Sequence, residues 1–150
     1  MTHGATVTAI HLIALHGGSA AACDEVEAVA GAGLRGDRHF AVDAPPKRQL
    51  TLIAAETLEA LERGGMALAP GETRRQLVTA GVDLEGLLGR RFLIGEAECR
   101  GVEPCEPCAH LERLTQCSGL MRALAHRGGI HAEILTSGTI RVRDRVVALD

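Results

Sequence analysis

The 150 residues suit one domain with a sizeable core, and 46% hydrophobic with 23% charged residues is a globular rather than a disordered composition. The net charge is −3, and the chain has two Phe, no Trp and no Tyr. That balance argues against a general nucleic-acid surface, which needs basic charge and aromatic stacking platforms. The cations are clustered, which leaves room for a local anion site.

In chain order, ATVTAIHLIAL (5–15) alternates loosely with β-branched residues and predicts a strand, broken by HGGSAA (16–21). DEVEAV (24–29) predicts a short extended segment. GAGLRGDRHF (31–40) is a glycine-rich loop, and the prolines of DAPPK (43–47) exclude a helix there. RQLTLI (48–53) predicts a strand running into a helix over 54–65, with apolar residues at 54, 58 and 61 and a stop at Gly64 and Gly65. A turn and a strand near 75–79 follow, then a short helical or turn connection over 82–90. RFLIG and EAECRGVEP predict a hairpin about Gly95. LERLTQCSGLMRALAHRGG predicts one or two short helices ending at Gly128 and Gly129. IHAEIL and TIRVRDRVVAL predict closing strands joined at Ser137 and Gly138. No repeat, linker or second domain is visible, so residues 1–150 read as one domain. Many short strands without regular βαβ alternation predict an α+β, mostly β fold: a small twisted antiparallel β-barrel with a few peripheral helices.

The first apolar run, Val7 to Leu15, has neither a basic region before it nor a clean cleavage site after it, and no run is long enough to span a bilayer. The expectation is a soluble, cytoplasmic protein with no membrane and no nucleic-acid partner. In a reducing compartment, five cysteines point to burial, metal binding or catalysis before disulfides.

VEPCEPCAHLERL (102–114) carries a C-x-x-C pair, each cysteine preceded by proline. Structural zinc needs four ligands, and Cys99, His110, Cys117, His126 and His131 supply no second tight pair. A thioredoxin-like dithiol sits early in its fold with a proline further on; here the prolines are 45, 46, 70, 104 and 107, and none follows the pair. Two small apolar residues buried in a turn account for the spacing equally well. His110 and His131 read as polar or packing residues rather than ligands.

Taken in order, GLRGDRHF, RQLTLIAAETLEAL, TRRQLVTAGVDLEGLLGRRFLIGEAE, VEPCEPCAHL and RGGIHAEILTSGTIRVRDRVVAL resemble the MOSC domain, the fold found at the C-terminus of molybdenum cofactor sulfurases. The resemblance spans about residues 7 to 149. It implies a barrel-like α+β fold that binds molybdenum cofactor (molybdopterin), a pterin dithiolene with a terminal phosphate. Some members reduce N-hydroxylated compounds at a cysteine-held molybdenum, and others are linked to sulfur delivery.

Carried over by position, the second cysteine of the pair, Cys108, is the implied metal ligand, with Cys105 as an accessory thiol for sulfur exchange or redox protection. Soft thiolate suits this chemistry. Arg74 and Arg75 match a basic pair suited to phosphate, and Gln76 stands where the family has Asn. Gly36-Asp37-Arg38-His39 matches a loop in which Gly36 and Asp37 shape the turn, while Arg38 and His39 face cofactor or substrate. Arg48 and Arg127 are weaker phosphate candidates, Arg127 also fitting a helix C-terminal cation. Arg143 replaces the usual glycine of the closing G-x-I-x-V-G-D pattern.

Three functions follow. One is a cofactor-binding oxidoreductase whose electrons come from a separate donor protein, because the chain has no flavin motif and no iron–sulfur cysteine set. Another is a persulfide carrier served by a sulfur-donor protein. The third is a non-enzymatic barrel that binds a ligand or partner. The chain has no room for a pyridoxal-phosphate domain.

Overall fold

The structure, a computed structural model, describes residues 4–106 and 109–149. The strands are β1 (Thr6–Leu12), β2 (Ala21–Cys23), β3 (Glu25–Val29), β4 (Gly33–Leu34), β5 (Leu50–Ala54), β6 (Leu77–Ala80), β7 (Arg91–Ile94), β8 (Ala97–Pro104), β9 (Ile130–Thr136), β10 (Gly138–Arg141) and β11 (Val146–Ala148). The helices are α1 (Ala55–Arg63), α2 (Ala109–Thr115) and α3 (Leu120–Ala123), with single 3-10 turns at Pro46–Arg48 and Glu85–Leu87. The fold is α+β and mostly β. None of these helices is long and apolar enough to cross a membrane.

Eight strands form one mixed sheet in the order β11-β7-β8-β9-β5-β6-β1-β2, and β10-β3-β4 form a second. Every pair is antiparallel except β5 with β6, which α1 joins by a crossover, as a parallel pair requires. Period-2 alternation then assigns the faces. Leu50 and Leu52 of β5, Leu77 of β6, Ile130 and Ala132 of β9 and Phe92 and Ile94 of β7 point inward, onto Val26, Ala28, Leu34 and Ile140 of the small sheet. Each such Leu, Ile or Phe, fully buried, contributes about 1.5–3 kcal/mol. A bulge between Val7 and Ala9 lets Val7 and Ile10 both reach this core, although they stand three residues apart.

The outer face is divided. Ile53 and Val78 lie beneath Leu61 of α1, Leu111 of α2 and Leu120 and Leu124, forming a second apolar cluster. The neighbouring outward positions, Thr51, Gln76 and His131, are polar; Thr51 and His131 stay partly exposed, and Gln76 is buried.

Gly33–Leu34, expected within a loop, pairs with β3 as a short strand, and two further strand expectations change. The first strand stops at Leu12 rather than residue 15, because the Ile13 amide leaves the ladder to donate to the Asp37 carboxylate at 3.0 Å. The single closing strand over 139–149 is two strands in different sheets: β10 pairs with β3, and β11 with β7. The break is a turn in which Asp144 N donates to Arg141 O at 3.0 Å and Arg143 takes φ +82. Among the described residues the large ladder runs from β11 to β2 without closing. A narrow seam joins the start of β1 to the 143–146 segment, where Arg143 N donates to Val7 O at 2.7 Å, Val7 N to Asp144 O at 2.9 Å and Val146 N to Ala5 O at 2.9 Å.

Arg143 thus keeps the left-handed backbone that glycine adopts without strain. Arg143→Gly is expected to relieve up to about 1 kcal/mol and raise Tm by about 2–4 °C in a thermal melt. An unchanged or lower Tm contradicts this reading of the turn.

Candidate functional site

The site grows from the 36–39 loop. Gly36, at φ +94, turns the chain so that the next side chain points into the protein. That side chain is Asp37, buried to 8% exposure. Its Oδ1 accepts from Ile13 N at 3.0 Å; its Oδ2 accepts from His39 N at 3.1 Å and from Gln76 Nε2 at 2.9 Å. The Gln76 amide orientation is dictated by its other end, because Oε1 accepts from Thr51 N at 2.9 Å. Thr51 Oγ1 in turn accepts from Gln76 N at 2.9 Å.

Above this network stand the cations. Arg74 has φ +62, a strained backbone for a non-glycine residue, and donates Nη1 to Gly18 O at 2.9 Å. Burial and then the neighbouring Arg38 guanidinium push the Arg74 guanidinium below its ordinary value, with Asp37 opposing. Arg38 donates Nε to His39 Nε2 at 3.2 Å, while its buried Nη1 has no partner. His39 is held below the ordinary imidazole range by burial first, then by Arg38; Asp37 opposes, and Arg48 and His16 add to the depression. A cavity of about 30 Å³ opens between Arg38, His39, Arg74, Gln76 and His11. Two guanidiniums stand over one buried carboxylate, one of them with an unused donor, which is the chemistry an anion would require.

Arg75 points the other way. Its guanidinium is buried and donates Nε to Gly128 O at 2.8 Å, Nη1 to Thr73 O at 3.1 Å and Nη2 to Cys105 O at 3.3 Å. Cys105 N donates to Gly129 O at 2.8 Å. Gly129, at φ +96, has no room for a Cβ, which would collide with the Leu52 carbonyl. Arg75 therefore fastens the backbone at Cys105 to the 128–129 turn, with its guanidinium donors taken up by carbonyls, while also lining the Arg38–Arg74 cavity. The Cys105 side chain is buried; Cys108 lies outside the described residues.

Strand register places a polar row across five segments. Glu103 of β8 faces His131 of β9, and His131 faces Thr51 of β5. Thr51 bonds to Gln76 just before β6, and Gln76 O accepts from His11 N of β1 at 2.7 Å. Four strand spacings make this row roughly 19 Å long. Cys105 follows β8 at one end, and the Arg38–Arg74 pocket lies at the other. Burial lowers the pKa of both His131 and His11, and each has a buried Nδ1 without a partner.

Of the residues the sequence nominated, Arg38, His39, Arg74, Arg75 and Gln76 line one cavity, Arg75 with its guanidinium bonded to backbone carbonyls. Arg48 sits exposed at the end of its 3-10 turn, close enough for its charge to reach His39. Arg127 is not brought to this pocket: it donates Nε to Ala123 O at 2.7 Å at the end of α3 and lines a separate cleft with Asp83 and Glu85. Thr51, His11 and His131 were not singled out as site residues; their signal was a polar residue at an outward position of an otherwise apolar strand. Among the described residues, no group of three or more His, Cys, Asp or Glu is placed to hold a metal.

A family model described as the MOSC domain matches residues 15–147. The fold is similar to that of the YuaD protein from Bacillus subtilis, with a TM-score of 0.83 at 16% identity over 96% of this chain and 94% of that one. It is also similar to YiiM from Geobacillus stearothermophilus, with a TM-score of 0.73 at 16% identity over 97% of this chain and 75% of that one. For YiiM from Escherichia coli the TM-score is 0.67 at 18% identity, over 97% and 70%. No curated protein sequence matches the chain.

Asp37→Asn replaces an oxygen that accepts two hydrogen bonds or forces the amide to turn. It is expected to cost roughly 1–3 kcal/mol in denaturant unfolding, and an unchanged midpoint would contradict the role given to the carboxylate. The depressed His39 also predicts pH-dependent anion binding, tested with sulfate because its charge is constant over the range. A bound anion favours the imidazolium, so affinity rises as pH falls from 8 to 6, by up to about tenfold per pH unit. His39→Gln should remove most of that slope. His11 and His131, both depressed by burial, lie nearby, so a slope unchanged in the variant assigns the effect to them instead.

Proposed function

This chain belongs to the MOSC domain family, and from that membership we propose that it binds molybdenum cofactor along the polar row. One observation carries the reading: the unpartnered Arg38 Nη1 beside Arg74 at one end of the row, with the cysteine stretch at the other. A phosphate in the cationic pocket would satisfy that donor and relieve the repulsion between the two guanidiniums. His39, adjacent and partly exposed, adds a hydrogen bond or a charge as pH falls. Between the ends, the partly exposed Thr51 and His131 offer neutral polar edges of the kind a pterin ring presents in return, and Gln76 braces Thr51 from beneath. The fit is therefore chemical as well as familial.

In this proposal Cys108 supplies the thiolate to the metal, and Arg75 holds the preceding backbone at Cys105 in position. When bound, the cofactor supplies a molybdenum that exchanges oxygen and two electrons. The reaction class we propose is reduction of an N-hydroxylated compound: the N–O bond breaks, two electrons and two protons are taken up, and an N–H compound and water leave. The electrons come from a separate donor protein. The alternative, sulfur carriage on a persulfide, needs a thiol that a partner can reach; Cys105 is buried, so that role too falls to Cys108.

The protein purified from a host that makes the cofactor is expected to carry molybdenum and pterin in comparable amounts per chain. Cys108→Ser should lose the metal. Arg74→Ala should lower pterin retention roughly ten- to a hundredfold, the cost of a charged hydrogen bond. Wild type without molybdenum or pterin overturns the proposal, and persulfide on Cys108 in such a preparation selects the carrier.

A further inference from the structure

A groove of about 370 Å³ lies beside α1, beyond the cationic end of the row. That volume is in the range of small-molecule sites. Ala9 and Val78 form its floor, Leu58 and Met66 its walls, and Glu59 and Glu62 of α1 stand on its rim. The groove and the Arg38–Arg74 cavity share one residue, His11. His11 is 6% exposed, and its Nδ1 has no hydrogen-bond partner. A buried ring nitrogen left in this state is unfavourable, and a ligand polar group at the junction would satisfy it. Gly71 holds the ring there. At φ +80, a Cβ on Gly71 would come within 2.7 Å of Ala20 Cβ and 3.0 Å of His11 Cδ2, so only glycine lets this loop close against the imidazole.

The ligand must therefore combine three chemistries: an anion for Arg38 and Arg74, a polar group near His11, and a flat, largely apolar body edged with hydrogen-bond donors for Glu59 and Glu62. We propose that the groove binds the nucleoside of a nucleotide whose phosphate occupies the cationic pocket. This rests on the phosphate-site reading given above. The base is one with an exocyclic amino group, because carboxylates accept from such a group and repel the carbonyl edge of uracil. The nucleotide is either free or joined through its phosphate to the cofactor.

The test uses the full chain with methyl and amide labels, titrated by NMR with inorganic phosphate, ribose 5-phosphate, UMP, CMP, GMP and AMP. The expected result is that at least one amino-bearing nucleotide binds about tenfold or more tighter than ribose 5-phosphate and UMP, shifting the methyls of Leu58, Met66 and Val78. Glu59→Gln combined with Glu62→Gln, both on the exposed face of α1, should erase that preference and leave phosphate affinity intact. Phosphate binding with no gain from any base overturns the groove proposal and leaves the phosphate site standing. Failure to bind phosphate, together with absence of cofactor in the purified protein, removes both. Mass spectrometry of the acid-released cofactor separates the sources: a nucleotide attached to the pterin marks the joined form, and a bare pterin phosphate beside tight nucleotide binding marks the free one.

Discussion

The buried carboxylate of Asp37 is the constraint on which the site depends. It accepts hydrogen bonds from three separate segments: the residue after β1 through Ile13 N, its own loop through His39 N, and the residue before β6 through Gln76 Nε2. A charged acceptor makes such bonds worth about 1.5–3 kcal/mol each, and a carboxylate removed from water needs them. The same negative charge beneath the pocket allows Arg38 and Arg74 to stand together. Without it, two partly buried guanidiniums would drive each other apart into solvent. Asp37 thus couples the fold of the loop to the chemistry above it.

The rest of the site follows from how the large sheet divides its outer face. Apolar outward residues, Ile53 and Val78, draw the helices over one part. The next part carries polar outward residues, Thr51, Gln76 and His131, in place of apolar ones. The boundary between them is where the groove lies, with His11 at the junction. Arg75 performs a different task from its neighbour. Adjacent in the loop before β6, the two arginines have different partners: Arg74 meets Gly18, while Arg75 meets the carbonyls of Thr73, Cys105 and Gly128.

Local pattern made several elements legible. The hairpin of β7 and β8 was announced by alternation on both sides of Gly95, and α1 by apolar residues at 54, 58 and 61 followed by two glycines. The basic loop was legible as a motif, and Arg38, His39, Arg74 and Gln76 do converge. What pattern alone did not reveal depends on register. His131 and His11 lie far apart in sequence, and only the pairing of β9 with β5 and of β1 with β6 sets them in one row. The break at Arg143 is marked by the family resemblance alone: arginine disfavours positive φ, so residue type gave no turn signal, and only the closing pattern with glycine at that place pointed to one. The distinct role of Arg75 was hidden because its partners are backbone carbonyls, which carry no sequence signal. The mixed character of the sheet required seeing that α1 crosses over between parallel neighbours.

The central claim is that one row on the sheet's outer face holds a phosphate at its cationic end and a metal at its cysteine end. Anomalous diffraction at the molybdenum edge, from crystals of protein purified from a cofactor-producing host, tests it most directly. The account predicts a single metal peak beside the 105–108 stretch, with phosphate density against Arg38 and Arg74. Molybdenum bound elsewhere on the chain, or phosphate density away from those two guanidiniums, would contradict it.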